Sequence, residues 1–263
     1  MPRGTVPKGQ APNVAVPAVQ HLVVRYAKRG KMRFASHRDV ARAFERGVRR
    51  AGLPIAYSAG FTPHPKISYP GGAPTGVASE AEYLSLALTA RQAETQVCQR
   101  LNAALPDGID VIDVTEDDGG AGKTSGPGSS SGTSSSGFAH LEASGWRMVL
   151  PGVAPEEARR AVAGFLARAE APVERLTDKG VRQLDARAAV VDMTVAETGF
   201  EGCAILRMVV LHTAPAVRPE DIVTALREQD GIVPSSPPVI TRLAQGRRAQ
   251  LAGQSLLAGE GAS

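Results

Sequence analysis

The chain has 263 residues, of which 43% are hydrophobic, and 30 Lys and Arg stand against 26 Asp and Glu. This length accommodates two small domains of about 100 residues each. Because no apolar run approaches the ~18 residues of a membrane span, we expect a cytoplasmic protein without a membrane partner. Cys98 and Cys203 stand alone, without CxxC or Cys/His spacing. The composition therefore favours a reduced globular protein with no metal and no cofactor.

The first half of the chain predicts a βαββαβ order. Residues 1–18 are punctuated by Pro and Gly and are predicted to be a disordered leader. The predicted strand, helix, two strands, helix and strand are, in order, His21–Ala27, Ser36–Ala51, Pro54–Ser58, Ala81–Leu88, Arg91–Leu105 and Gly108–Glu116. This order is typical of a ferredoxin-like unit. Residues 19–116 are therefore predicted to form one domain.

A Gly/Ser-rich stretch, residues 117–137, predicts a flexible linker. It contains Gly122-Lys123-Thr124, but neither the glycine spacing nor the flanking strand and helix of a P-loop is present. Nucleotide binding is not expected there.

The second half repeats the pattern with one extra short strand. Its predicted elements are a strand, a helix, a short strand, a hairpin, a helix and a strand: Phe138–Leu150, Pro155–Arg168, Val173–Leu176, Ala188–Val195 with Cys203–His212, Pro219–Glu228 and Val239–Leu243. Residues 138–245 thus form a second predicted domain, followed by a tail at 246–263. The predicted fold class is α+β, with two tandem ferredoxin-like halves.

Positive charge is concentrated in one segment of the first half. Between residues 25 and 66 the basic residues are Arg25, Lys28, Arg29, Lys31, Arg33, Arg38, Arg42, Arg46, Arg49, Arg50 and Lys66. Against these eleven stand only Asp39 and Glu45, so the segment carries +9 (11 − 2) and the rest of the chain −5 (4 − 9). A local excess of this size favours an anionic partner, most simply nucleic-acid phosphate.

The predicted helix separates its apolar and basic residues. Its apolar positions follow helical periodicity and are Val40, Ala43, Phe44, Gly47, Val48 and Ala51. The opposite side carries Arg38, Arg42, Arg46, Arg49 and Arg50. Ser36 is the predicted N-cap with Asp39 in a capping-box position, and Gly52 with Pro54 ends the helix. An ordinary solvated face is the alternative, but five arginines without matching acids repel one another, which favours a ligand.

Two loops flank this helix, and each places a hydroxyl residue near a histidine. If the helix N-terminus faces the second loop, His37, His64, Arg33 and Lys66 converge on one anion site. Two histidines could also act as acid and base of a metal-independent ribonuclease, although a surface histidine and a loop-tying histidine are the ordinary alternatives. Phe61, beside Gly60, is the aromatic most suited to stack on a base. The candidate binding residues are Lys31, Arg33, Ser36, His37, Arg42, Arg46, Arg49, Arg50, Ser58, Phe61, His64 and Lys66; His37 and His64 are the catalytic candidates.

Polar residues of the second half are interpreted as structural. Asp185 and Arg187 are predicted to form ion pairs at a strand end or domain interface. His212 is predicted to be a satisfied core or edge residue. Trp146 is predicted to pack rather than bind a ligand.

The run KMRFASHRDVARAFERGVRRAGLP followed by YSAGFTPHPKIS, with Glu82-Tyr83 further on, resembles a bacterial radical-SAM-associated domain of unknown function. The resemblance covers about residues 20–245 apart from the linker, and it implies the stand-alone actinobacterial form of a domain that is elsewhere fused C-terminal to B12-binding-type radical-SAM proteins. The chain lacks the CxxxCxxC motif that holds a radical-SAM cluster. The resemblance therefore implies association with such an enzyme and no radical-SAM activity of its own.

Three functions follow from the sequence. The first is an RNA-binding module for tRNA or rRNA that presents substrate to an RNA-processing, RNA-modifying or radical-SAM enzyme. The second is an endoribonuclease using His37 and His64. The third is an adaptor whose basic face docks an acidic protein.

Overall fold

The computed structural model of the protein describes residues 16–117, 138–178, 180–196 and 203–253. In these ranges the fold is mixed α+β and is built on one large mixed sheet. The predicted leader up to residue 15, the linker from residue 118 and the last ten residues lie outside the described part of the chain.

The first half supplies four strands and two α-helices. They are, in chain order, β1 (Gln20–Lys28), a 3-10 helix (Gly30–Phe34), α1 (His37–Arg50), β2 (Ile67–Ser68), β3 (Ala78–Leu88), α2 (Glu94–Ala104) and β4 (Ile109–Glu116). Strands β1, β3 and β4 and both α-helices confirm their predicted counterparts to within a few residues. The apolar periodicity of these elements extends over enough residues to predict helix or strand without knowledge of the tertiary contacts.

The predicted strand Pro54–Ser58 is wrong. Ile55 and Tyr57 make only isolated bridges, to Leu88 and Pro65, and the strand that pairs with β3 is the two-residue β2. Pro63, Pro65 and Pro70 surround β2 and cannot donate ladder hydrogen bonds. The prolines therefore keep this strand short.

The second half contains six strands and four helices within its described residues. They are β5 (Ala143–Leu150), α3 (Pro155–Ala167), β6 (Pro172–Thr177), β7 (Gly180–Asp185), α4 (Ala186–Ala189), β8 (Val190–Val195), β9 (Ala204–Leu211), α5 (Pro219–Asp230), β10 (Val239–Gly246) and α6 (Arg248–Gly253). Strand β6 matches its predicted counterpart, but its partner β7, whose side chains are mostly exposed, was not predicted. The predicted tail contains α6, and Leu251 of this helix is buried beside Ala143 and Val209. The first residues of the tail are therefore part of the fold.

The two halves share one sheet. Its strand order is β4-β1-β3-β10-β5-β9-β8, with β2 also beside β3, and the separate hairpin β6-β7 stands apart. β3 and β10 run parallel, pairing Thr241 with Ala78 and Arg242 with Ser79, whereas the other pairs are antiparallel. Because β2 covers β3 only at Ser85 and Leu86, the other end of that edge is open to β10. The short strand thus leaves room for the joint between the halves.

Helix α1 is fixed to the sheet by its predicted apolar side. Val40, Ala43, Phe44, Gly47 and Val48 are buried, and the Phe44 ring contacts Tyr26 of β1 edge-on at 4.7 Å between centroids. Ser36 caps the helix and forms a capping box with Asp39. The packing of one side of α1 leaves its arginines on the other side, toward solvent.

Candidate functional site

The arginine face consists of Arg38, Arg42, Arg46, Arg49 and Arg50, all exposed on α1. Within the described part of the chain, none of the five forms an ion pair. The nearby carboxylate of Asp39 is held by Ser36, whose hydrogen bonds, with help from Arg42 and Arg46, lower the Asp39 pKa. The face therefore presents five cations that are free to meet an external anion.

Two basic residues of the same segment, Lys28 and Arg29, do not contribute to this face. Lys28 is 3% exposed, and its Nζ donates to the carbonyl oxygens of Ala73 at 3.1 Å and Pro74 at 3.3 Å; burial lowers its pKa. Arg29 forms ion pairs with Glu80 and Asp110. The sequence count of +9 treated these cations as surface charge, and the structure corrects that view.

Two exposed aromatic rings lie within the basic segment. Phe61 is 84% exposed at the tip of the second loop, and Phe34, the last residue of the 3-10 helix, is 59% exposed. The Arg33 guanidinium lies 4.6 Å from the centre of the Phe34 ring. Exposed rings of this kind are suited to stacking on unpaired bases. Phe34 was not singled out by the sequence analysis.

The second loop is closed by Ser58 and His64. The Ser58 hydroxyl accepts from the His64 amide at 3.0 Å, and the Ser58 amide donates to the His64 carbonyl at 2.9 Å. Ser58 therefore fixes the loop backbone, and it leaves the His64 side chain exposed. Lys31 and Lys66 are also exposed.

The other candidate histidine lies against a different segment. The His37 ring meets Tyr69 edge-on at 5.2 Å between centroids, and a Cβ added at Gly72 would lie 3.2 Å from His37 Nδ1. The convergence of His37 with His64, Arg33 and Lys66 stays a prediction.

A cleft of about 1340 Å³ opens between the two halves. The segment 68–75 of the first half forms one wall, and the start of α5 with part of β6 forms the other. Side chains of β5, β9 and β10 line it between these walls, among them Ser144, Trp146 and Arg242. The sequence analysis did not find this cleft, because its lining comes from segments that are distant in sequence.

A buried ion pair lies at the base of the cleft. Arg242 Nη1 lies 2.9 Å from Glu82 Oε1, and Glu82 Oε2 accepts from the Ala73 amide at 2.9 Å. The Arg242 guanidinium also lies 4.6 Å from the centre of the Trp146 ring. Burial lowers the pKa of Arg242, while Glu82 opposes this shift. Glu82 thus links both halves of the chain through one carboxylate.

A serine and a histidine form a second polar pair in the cleft. The Ser144 hydroxyl lies 2.7 Å from His212 Nε2, and His212 Nδ1 lies 2.8 Å from the Leu141 carbonyl oxygen. Because a carbonyl can only accept, Nδ1 carries the proton and Ser144 donates to Nε2. Partial desolvation of the ring lowers the pKa of His212, although the residue as a whole is exposed. These two hydrogen bonds confirm that His212 is satisfied, but it is an exposed residue directly after β9 and not a core residue. Both His212 and Trp146 also line the cleft.

Asp185 and Arg187 do not form the predicted ion pairs with any of the described residues. Asp185 Oδ1 accepts from the amides of Ala171 and Arg187, each at 2.9 Å. The Arg187 side chain donates to the carbonyls of Leu166 and Val190. Both residues therefore cap and tie loop backbone, and the structural interpretation holds through different contacts.

The described residues offer neither a metal site nor a membrane-spanning helix. Among these, no group of three or more His, Cys, Asp or Glu is placed to hold a metal ion. No helix in the same ranges has the length and apolar character needed to cross a bilayer.

Comparison with known proteins gives a family match and distant structural likenesses. A family model described as "Uncharacterized protein conserved in bacteria (DUF2344)" matches residues 21–219. None of the curated proteins matches the chain. A crystal structure of a Cbf5-Nop10-Gar1 complex is similar at 12% identity with a TM-score of 0.44, covering 87% of this chain and 50% of the other. The chain thus spans half the length of that structural relative, and the likeness carries no argument about function.

Proposed function

The chain belongs to a bacterial family of uncharacterized proteins, DUF2344, and we propose that it binds RNA through the arginine face of α1. The observation that supports this is that five exposed arginines lie on one helix face with no ion-pair partner among the described residues. Such a face is unfavourable in isolation because like charges repel. Phosphate groups relieve the repulsion, and Arg binds them well through its planar fork.

The neighbouring aromatic rings favour single-stranded RNA or exposed loops as the target. Phe34 and Phe61 are exposed, and stacking on such rings takes unpaired bases with little sequence preference. The proposed ligands are therefore structured RNAs with accessible loops, such as tRNA or rRNA fragments. The proposed role is substrate recognition in the cytoplasm for an RNA-processing or radical-SAM enzyme.

The strand order also supports the finer proposal of two ferredoxin-like halves. The order around β1 is β4-β1-β3 with β2 next to β3, and the order around β5 is β10-β5-β9-β8. If β8, β9 and β10 count as the second, third and fourth strands of the second half, both halves share the fold's interleaved order, and β6-β7 is an insertion. Because a fold does not determine function, the proposed RNA binding rests on the arginine face and not on this strand order.

The test is a filter-binding titration of total tRNA and rRNA fragments at 50 and 200 mM salt. Five phosphate contacts to single-stranded RNA predict a log–log salt slope of about −3.5, a loss of affinity of roughly a hundredfold over this range. Replacing Arg42 and Arg46 by glutamine should reduce the slope to about −2.1, a loss of roughly twentyfold. The matched control replaces Arg159 and Arg227, exposed arginines that pair with acids on α3 and α5.

The outcomes separate the three functions. Salt-dependent binding that weakens in the Arg42/Arg46 variant and not in the Arg159/Arg227 variant supports RNA binding. Cleaved RNA that disappears in His37→Ala, with binding intact, supports the endoribonuclease instead. No binding at 50 mM salt refutes both, and capture of an acidic protein by the same face would support the adaptor.

A further inference from the structure

We propose that the cleft between the two halves is a binding site for a ligand that carries an oxyanion, a phosphate or carboxylate group, with Arg242 as its anchor. This site is separate from the arginine face, since α1 arginines do not line the cleft. The inference is independent of RNA binding.

The first support is an excess of buried positive charge. Lys28, Arg242 and Glu82 are 3%, 8% and 1% exposed, so two cations are buried with one carboxylate. Both oxygens of that carboxylate are engaged, one by Arg242 and the other by the Ala73 amide. Lys28 donates only to neutral carbonyls. Since a buried charge is unfavourable unless it is paired, an anionic ligand would neutralise the second buried cation.

The second support is the position of unpartnered polar atoms. In the described part of the chain, three buried side-chain nitrogen or oxygen atoms have no hydrogen-bond partner: Tyr69 Oη, Arg207 Nε and Arg242 Nε. Tyr69 and Arg242 both line the cleft. Buried donors are paired in the great majority of cases, and an exception calls for a physical reason such as a missing ion. The Arg242 N–H and the Tyr69 O–H are both hydrogen-bond donors, the kind of group from which the oxygens of an anion accept.

The third support is size. Sites for small molecules measure about 300–1,000 Å³, and this cleft measures about 1340 Å³. It therefore accepts a ligand as large as a nucleotide. Two other arginines line the cleft, Arg175, which is paired with Asp221, and Arg218, which is exposed. Of the three, Arg242 is the one with a buried N–H that has no partner, which makes it the better anchor.

The single tryptophan of the chain reports directly on this site. Trp146 lines the cleft and lies against the Arg242 guanidinium. An anion that reaches Arg242 must alter the contact between these two side chains, because Arg242 Nε is out of contact with solvent. Trp146 fluorescence should therefore change in a saturable manner on binding.

The experiment titrates the full-length protein with 5′-AMP, citrate and adenosine, with sodium chloride matching the ionic strength. We expect saturation below about 10 mM by at least one of the two anions and no change with neutral adenosine. Saturation by AMP alone identifies phosphate chemistry, and saturation by citrate alone identifies a carboxylate. No change with either anion, or an equal change with adenosine, would overturn the proposal.

Three variants locate the site. Arg242→Lys keeps a cation beside Glu82 but removes the Nε donor, and it should weaken binding at least about tenfold, as expected for a hydrogen bond to a charged group. Tyr69→Phe removes an unpartnered hydroxyl, so it should fold normally and bind the anion several-fold more weakly. The Arg42/Arg46 glutamine variant should titrate like the wild type. Unchanged affinity in both Arg242→Lys and Tyr69→Phe refutes the assignment, whatever the result with RNA.

Discussion

Replacing Arg242 by methionine is expected to lower the free energy of unfolding by about 3–5 kcal/mol, because it strands a buried carboxylate. The side chains of Arg242 and Glu82 are 10% and 2% exposed. In the variant, Glu82 keeps the Ala73 amide as a donor but loses its charged partner. For a protein of this size, each kcal/mol corresponds to roughly 2–4 °C in Tm. The expected fall in Tm is therefore about 6–20 °C.

The assay is urea unfolding at pH 7, monitored by circular dichroism. It compares the single variants Arg242→Met and Glu82→Gln with the double variant Glu82→Gln/Arg242→Met. The double variant removes the carboxylate that Arg242→Met leaves without its partner, and Lys28 keeps its two carbonyl acceptors. It should therefore be more stable than Arg242→Met alone, and the two effects should not add. A loss below about 1 kcal/mol in Arg242→Met, the value typical of an exposed pair, would refute the reasoning. Strict additivity would do the same.

Three other predictions concern separate parts of the fold. Phe44→Ala should cost about 3–5 kcal/mol in urea unfolding, because this fully buried ring joins α1 to Tyr26; a loss below 1 kcal/mol would contradict the packing. Ser36→Ala should cost about 1 kcal/mol at pH 7 through loss of the N-cap. Since Ser36 lowers the Asp39 pKa, that difference should shrink as pH falls through the Asp39 titration. Partial desolvation lowers the His212 pKa, so the unfolded state binds more protons below about pH 6.5. Wild-type stability should therefore fall with pH below that value more steeply than that of His212→Gln, as thermal melts at several pH values would show.

The features that the sequence predicted correctly are those that depend on local pattern. Helix α1 has a long apolar periodicity, a Ser36 cap and a glycine stop, and each of these acts within a few residues. The same periodicity placed the arginines on the exposed side. Strand β2 was misplaced because Pro54–Ser58 has the composition of a strand, while the prolines around Ile67 decide where pairing occurs.

The features that the sequence did not reveal depend on long-range pairing. Glu82 and Arg242 are 160 positions apart, and no local pattern indicates that they meet. Lys28 was counted with the basic residues between positions 25 and 66, and only the fold shows that its Nζ is bound by the carbonyls of residues 73 and 74. The cleft was not predicted for the same reason, because its two walls come from different halves of the chain.

The parallel pairing of β3 with β10 also constrains synthesis of the protein on the ribosome. Residues 20–116 emerge first, but the open end of the β3 edge and the carboxylate of Glu82 receive their partners only when β10 has been made. At 5–20 residues per second, those 160 positions take roughly 10–30 seconds. During that interval the nascent first half exposes an unpaired strand edge, a known route to aggregation. A chain that stops before residue 239 should consequently depend on chaperones, however well its own helices form.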